Sequence, residues 1–290
     1  MATVEKPMAE PSFKIRHVLL PADLREDATP AFALALRIVL NGQGTLNIVH
    51  ATGSTARPHW SSLPGVRPLL VKWGVLGPDA TVTDFERLNV QVHHRVLATD
   101  RPVGALVDES WNHPTDLIVM MSHERTLVER WLQGNVGETV ARRARTRTLF
   151  VPESANRTVV HPVTGHPHFH KILVPVADTG GQAAVHAAVA LGEALGAPRA
   201  TGILLHVGTN DSMPSLRLPD GWSWQNQVVA ESAIVPAILN AADRDHVDLI
   251  VMASRGHDGL LDMLRGSTTE RVLHAASCPV LMAPLPEVVA

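Results

Sequence analysis

The chain has a single cysteine in 290 residues, so no disulfide can form within it. Such cysteine usage fits a reducing compartment, and a cytoplasmic protein is the expectation. Cys278 stands at the entrance to an apolar run and reads as a small core residue. No stretch of about 18 uninterrupted apolar residues is present, so no membrane span is expected. Residues 1–13 are polar and proline-bearing, lack the apolar segment of a signal peptide, and read as a tail. A net charge of −3 gives no ground for a bulk nucleic-acid binder. A Gly-Lys-Ser/Thr phosphate loop, a recognisable nucleophile–base pair and a metal-ligand set are all missing, so no enzyme is expected. Only 18% of the residues are charged and 45% are hydrophobic, enough to bury a sizeable core. The length suits two domains.

What is present is a duplication. Residues 17–23 (HVLLPAD) compare with 171–178 (KILVPVAD), 46–51 (LNIVHA) with 202–207 (GILLHV), and 115–121 (TDLIVMM) with 247–253 (VDLIVMA). Gly134-Asn135 falls where Gly266-Ser267 stands, with nine residues between Glu124 and Gly134 as there are nine between Gly256 and Gly266. Residues 147–151 match 279–283. Five matches in one order mark a tandem repeat.

Each half alternates apolar strands with helices. Strands are expected at 16–21, 46–51, 90–97, 117–121 and 148–151, then at 171–176, 200–207, 223–230, 249–253 and 280–283. Helices are expected at 28–40, 103–111, 136–145, 183–195, 235–243 and 268–276. This order implies α/β architecture: two tandem doubly wound domains, each with a five-stranded parallel sheet covered on both faces. The first domain spans 14–152 and the second 171–290. Residues 153–170, with His161, His166, His168 and His170, read as a linker; the histidine spacing is loose, and no metal site is assigned there. The stretch 52–88 is long, whereas its counterpart 208–221 has room for a loop but hardly for a helix. Trp60, Trp73, Trp222 and Trp224 read as buried or interface residues.

Residues 247–284 run strand, glycine loop, Gly-Ser, helix, strand. Glycine lets backbone approach an anion, and a helix N-terminus offers free N–H groups, so this order suits a phosphate. The spacing Ala253-x2-Gly256-x9-Gly266-Ser267 resembles the G-x2-G-x9-G-(S/T) nucleotide loop of the universal stress protein family, with Ala253 in place of the first glycine.

That resemblance covers the chain outside tail and linker. It implies a universal stress protein-like (adenine nucleotide alpha hydrolase-like) fold in each half and a stress-response or regulatory protein binding ATP or a related adenine nucleotide, with Mg2+ as a companion. Carried over by position, the second-half site comprises Pro175, Asp178, Val207, Met252, Ala253, Arg255, Gly256, Gly266, Ser267 and Thr268. Ala177 takes the place of the family's aspartate, with Asp178 one residue late. In the first half Asp23, Ala51, Gly134 and Asn135 remain, but Met121 and Glu124 replace loop glycines, and a carboxylate about 4 Å from a phosphate repels it by on the order of 1 kcal/mol. A degenerate first half and a nucleotide-binding second half are therefore expected, with at most weak ATP hydrolysis. The family also implies a pseudo-dimer within the chain, with 147–151 and 279–283 as candidate pairing strands, and leaves a further homodimer open.

Simpler readings stand beside these. Gly256 and Gly259 suit a plain turn, Ser267 an N-cap, and Asp23 a turn or cap. His50 and His206 recur at the end of the second strand of each half and read as packing residues. The competing function is an interaction or scaffold module of the same fold that binds no nucleotide.

Overall fold

The computed structural model describes residues 14–22, 24, 28–53, 60, 63–122, 146–153, 157–177, 180–197, 199–230, 233–254 and 268–285. In the first half the elements are β1 (His17–Pro21), α1 (Thr29–Gly42), β2 (Thr45–Thr52), α2 (Val66–Lys72), α3 (Val82–Glu86), β3 (Gln91–Ala98), α4 (Pro102–Asn112), β4 (Leu117–Ser122) and β5 (Arg147–Pro152). In the second they are β6 (Lys171–Val176), α5 (Gly181–Ala194), β7 (Thr201–Val207), a 3-10 turn (Asn210–Ser212), β8 (Ser223–Val229), α6 (Ile234–Arg244), β9 (Leu249–Ser254), α7 (Thr268–Ala275) and β10 (Val280–Pro284). The helix expected at 136–145 lies outside the described residues.

All ten strands share one sheet, in the order β3-β2-β1-β4-β5-β10-β9-β6-β7-β8. Neighbours within each half are parallel, so each half repeats the order 3-2-1-4-5. β5 and β10 meet antiparallel, with Leu281 opposite Leu149, Val280 opposite Phe150 and Met282 opposite Thr148. Leu149 and Leu281 are repeat mates, so a local twofold axis passes between them.

One carboxylate fixes strand register identically in both halves. Asp116 Oδ2 accepts the backbone N–H groups of Arg16 and His17 at 2.8 and 2.9 Å. Asp248 Oδ2 accepts those of His170 and Lys171 at 2.8 and 3.0 Å. Each aspartate N–H donates in turn to His17 or Lys171 O, at 2.8 Å in both cases. Two charge-assisted bonds satisfy amides at the head of an inner strand in each half.

The core divides by sheet face. On one face α1 and α5 cover a single cluster drawn from both halves, including Leu20, Phe32, Leu46, Leu149, Val174, Ala188 and Leu281. The opposite face carries two clusters, one under α4 and one under α6 and α7; Phe150 on the seam packs against both. α6 shows why such helices form: Val235, Ile238, Ala241 and Ala242 fall on one stripe and all are buried.

The stretch between the halves is built into the fold. Val159, Val160 and Phe169 are buried in the shared core. Val160 bridges Pro167, and Trp73 Nε1–H donates to Pro162 O at 3.1 Å. Arg157 donates to Val247 O and to His246 Nδ1 at the foot of β9. Apolar residues spaced around the histidines explain the packing, which a reading by composition as a linker passes over. Trp222 is buried, stacks on Trp224 with centroids 5.3 Å apart, and meets Phe169 edge-on at 5.8 Å.

Candidate functional site

In a parallel sheet of this order, ligands sit beyond the carboxyl ends of the strands at the switch in strand order, between β1 and β4 or between β6 and β9. Residues level across the second edge are Ala283 and Ala253, paired between β10 and β9, then Val176 and His206, paired between β6 and β7. Pro175 is half-buried opposite Leu205. Val207 ends β7 half-buried. The Met252 side chain is buried in the core under α6 and α7, which leaves only its backbone for a ligand. Thr268 opens α7, whose direction follows from the parallel β9-α7-β10 crossover: its N-terminus lies at the carboxyl edge. Asp178, Arg255, Gly256, Gly266 and Ser267 lie outside the described residues, as do Asp23, Gly134 and Asn135.

The connection after the first strand differs between halves. Residues 22–28 join β1 to α1, whereas 177–180 suffice between β6 and α5. The short form ends at Gly180, with φ 91°. A Cβ there would stand 2.6 Å from the Ala253 methyl and 3.0 Å from Leu285 Cδ2. Gly180 is thus the residue that admits alanine where the family pattern has glycine.

At the first edge, Ala51 is half-buried against the core under α4, opposite Leu97. Met121 and Ser122 end β4 buried. Met121, level with Ala253 by repeat, puts its side chain into the shared core. Trp60, from the long stretch 52–88, lies edge-on to His50 at 6.4 Å and to His94 at 4.8 Å. Burial holds the His94 imidazole below its ordinary pKa, with His93 adding a smaller repulsion.

The recurring histidines do one thing twice. His50 Nδ1 donates to Ala22 O at 2.8 Å, and His206 Nδ1 donates to Val176 O at 3.1 Å. A carbonyl only accepts, so each Nδ1 carries the proton. Both histidines tie the end of the first strand to the second, a packing role. They then diverge: His50 meets Trp60, whereas His206 Nε2 lies 2.8 Å from Ser212 Oγ. Sequence reasoning missed Ser212 because it lies in a loop with no periodicity to mark it.

Among the described residues no group of three or more His, Cys, Asp or Glu could hold a metal ion. No helix among them is long and apolar enough to cross a membrane. Cys278 is buried, which pushes its thiol up to about 12.

The model of the universal stress protein family matches residues 14–152 and 225–284. Universal stress protein MJ0531 of Methanocaldococcus jannaschii is 46% identical over 55 residues, 18% of this chain and 32% of that protein. Universal stress protein YxiE of Bacillus subtilis is 47% identical over 45 residues, 16% of this chain and 30% of that one. The chain thus spans about a third of the curated relatives it matches. Among solved structures, a universal stress protein from Archaeoglobus fulgidus superposes with TM-score 0.56 at 16% identity, covering 94% of this chain and 98% of the other. A functionally unknown protein of Pseudomonas aeruginosa, PA1789, gives 0.59 at 14% identity, covering 93% and 92%. At such identities these likenesses concern the fold.

Proposed function

Because the chain belongs to the universal stress protein family, we propose that it is a stress-response protein whose second half binds an adenine nucleotide, ATP or a close relative, while its first half has lost that capacity. The observation that carries this reading is the contrast between the two carboxyl edges. In the second half a glycine, an alanine and a helix N-terminus line the switch between β6 and β9. In the first half Met121 ends β4 buried, and Trp60 covers the end of β2. Small residues leave backbone amides accessible to phosphate, and large ones do not.

The residues fit a nucleotide in part. Residues 255–267 connect the end of β9 to α7 and hold Gly256, Gly266 and Ser267 in the family's spacing. Phosphates would be held by those backbone amides, with Thr268 beside them. Mg2+ would come with the nucleotide, as the described residues offer no cluster of acidic or histidine ligands for it. The nucleotide is a ligand on this reading, and the pairing of β5 with β10 gives the chain the two-domain arrangement of a dimer in a single polypeptide. The scaffold reading has one observation in its favour, the close packing of Gly180 on Ala253 and Leu285, which narrows the β6–β9 switch.

Mass spectrometry of the freshly purified full chain, with titration of fluorescent ATP, separates the two. An adenine nucleotide retained by the native protein and lost from Gly256→Asp supports binding. No nucleotide on the purified chain, and no binding in titration of either the native chain or Gly256→Asp, would favour the scaffold reading instead.

A further inference from the structure

Ser212 and His206 have the geometry of a nucleophile and its base. His206 is 5% exposed at the end of β7, and its ring is fixed by the Nδ1–H bond to Val176 O. That bond leaves the Nε2 lone pair facing Ser212 Oγ, 2.8 Å away. Ser212 closes the 3-10 turn and is exposed, so its hydroxyl can be reached from solvent. The Thr209 N–H donates to Ser212 Oγ at 3.1 Å, which holds the oxygen in place. Thr209 O, at 2.9 Å, is the competing acceptor for the hydroxyl proton. Gly208 keeps the pair uncovered: a Cβ there would lie 2.7 Å from His206 Nε2 and 2.9 Å from Ser212 Oγ. Nucleophile, base and base-orienting acceptor are the three members that activate a serine, here with a backbone carbonyl in the third role. The first half has the same histidine and carbonyl, but Trp60 stands beside that ring. The pair also lies in the stretch 153–224 that the family model leaves unmatched.

We propose that Ser212 is an acyl-accepting nucleophile, with His206 as its general base, acting on short carboxylic esters. Oγ bonds to the acyl carbon as its proton passes to His206 Nε2. The bond from that carbon to the alcohol oxygen breaks, and the alcohol leaves with the proton. Water then gives a proton to Nε2, its oxygen bonds to the acyl carbon, and Ser212 departs and is reprotonated. Nothing is oxidised or reduced. Met213, next to Ser212 in the chain and half-buried against the core, offers an apolar rest for a small acyl group. The reaction needs no nucleotide and is independent of the binding reading.

p-Nitrophenyl acetate, mixed with the full chain, tests this. Release of p-nitrophenolate should accompany an acetyl adduct that peptide mass mapping places on Ser212. General-base assistance is worth about 100-fold or more, so Ser212→Ala and His206→Gln should each slow release by that factor. Ser212 is exposed, so Ser212→Ala keeps the fold, and unchanged melting confirms that the loss is chemical. His50→Gln, in the first half, should leave the rate as it is. Acetylation of lysines alone, or equal release by the native chain and Ser212→Ala, overturns the proposal.

Discussion

The two carboxyl edges of this sheet start from one sequence pattern and end differently. Both have a histidine tying the first strand to the second, and both have an aspartate clamping the foot of an inner strand. At the switch in strand order the first half places Met121 where the second places Ala253 against Gly180, and beside that switch Trp60 meets the first-half histidine edge-on. The duplication kept the contacts that hold strands together and let the residues along the carboxyl edge diverge. On the proposed reading, stability is required of both halves and an anion site of only one.

The largest expected effect breaks this contrast directly. Gly256→Asp puts a carboxylate into the second-half phosphate loop and should weaken ATP binding about 100-fold or more, by fluorescence titration of the full chain. Gly134→Asp in the first half should leave binding unchanged. Equal losses from the two substitutions would erase the asymmetry.

The second comparison concerns what was preserved. Asp116→Ala and Asp248→Ala each remove a carboxylate holding two backbone N–H groups, and each should cost about 3 kcal/mol in urea unfolding of the full chain. A cost confined to one aspartate would mean that the clamp is not a shared device.

Third, Trp60→Ala should cost about 1–2 kcal/mol, as Trp60 is half-buried against His50 and His94. It should not restore nucleotide binding to the first half, because Glu124 still stands where the second half has Gly256. ATP stoichiometry that doubles in this variant would show Trp60 alone to be the block.

The smallest effect is one of pH. Folding lowers the pKa of His94, so the unfolded chain takes up its proton first. Stability linked to His94 is therefore intact above about pH 6.5 and declines as pH falls through that value. His94→Gln should flatten this limb of the melting temperature against pH, and an unchanged slope would assign the limb to other groups. Cys278 runs the other way: its thiol is held up to about 12, so its share of stability falls only as pH rises past the ordinary thiol value.

The strand and helix order was legible because period and apolar runs carry it; β6 at Lys171–Val176 begins and ends where residues 171–176 lead one to expect. The duplication was legible for the same reason. The packing of 157–170 was not, because histidine and proline dominate its composition while Val159, Val160 and Phe169 do the packing. Pro175, Val207, Ala253 and Thr268 were named through the family resemblance and fall on strands and at the start of α7, whereas the close approach of Gly180 left no such mark. A close approach between a loop and a strand end is a distance in space and leaves no periodic trace. Ser212 escaped for that reason too: it stands six positions after His206, and the turn at Asn210–Ser212 brings its hydroxyl back to the ring.

Photocrosslinking of the full chain with 8-azido-ATP, followed by peptide mass mapping, tests the asymmetry most directly. Label is expected on peptides from residues 171–285 and not on peptides from residues 14–152. Label divided equally between the halves, or no label above that of the unfolded chain, would contradict it.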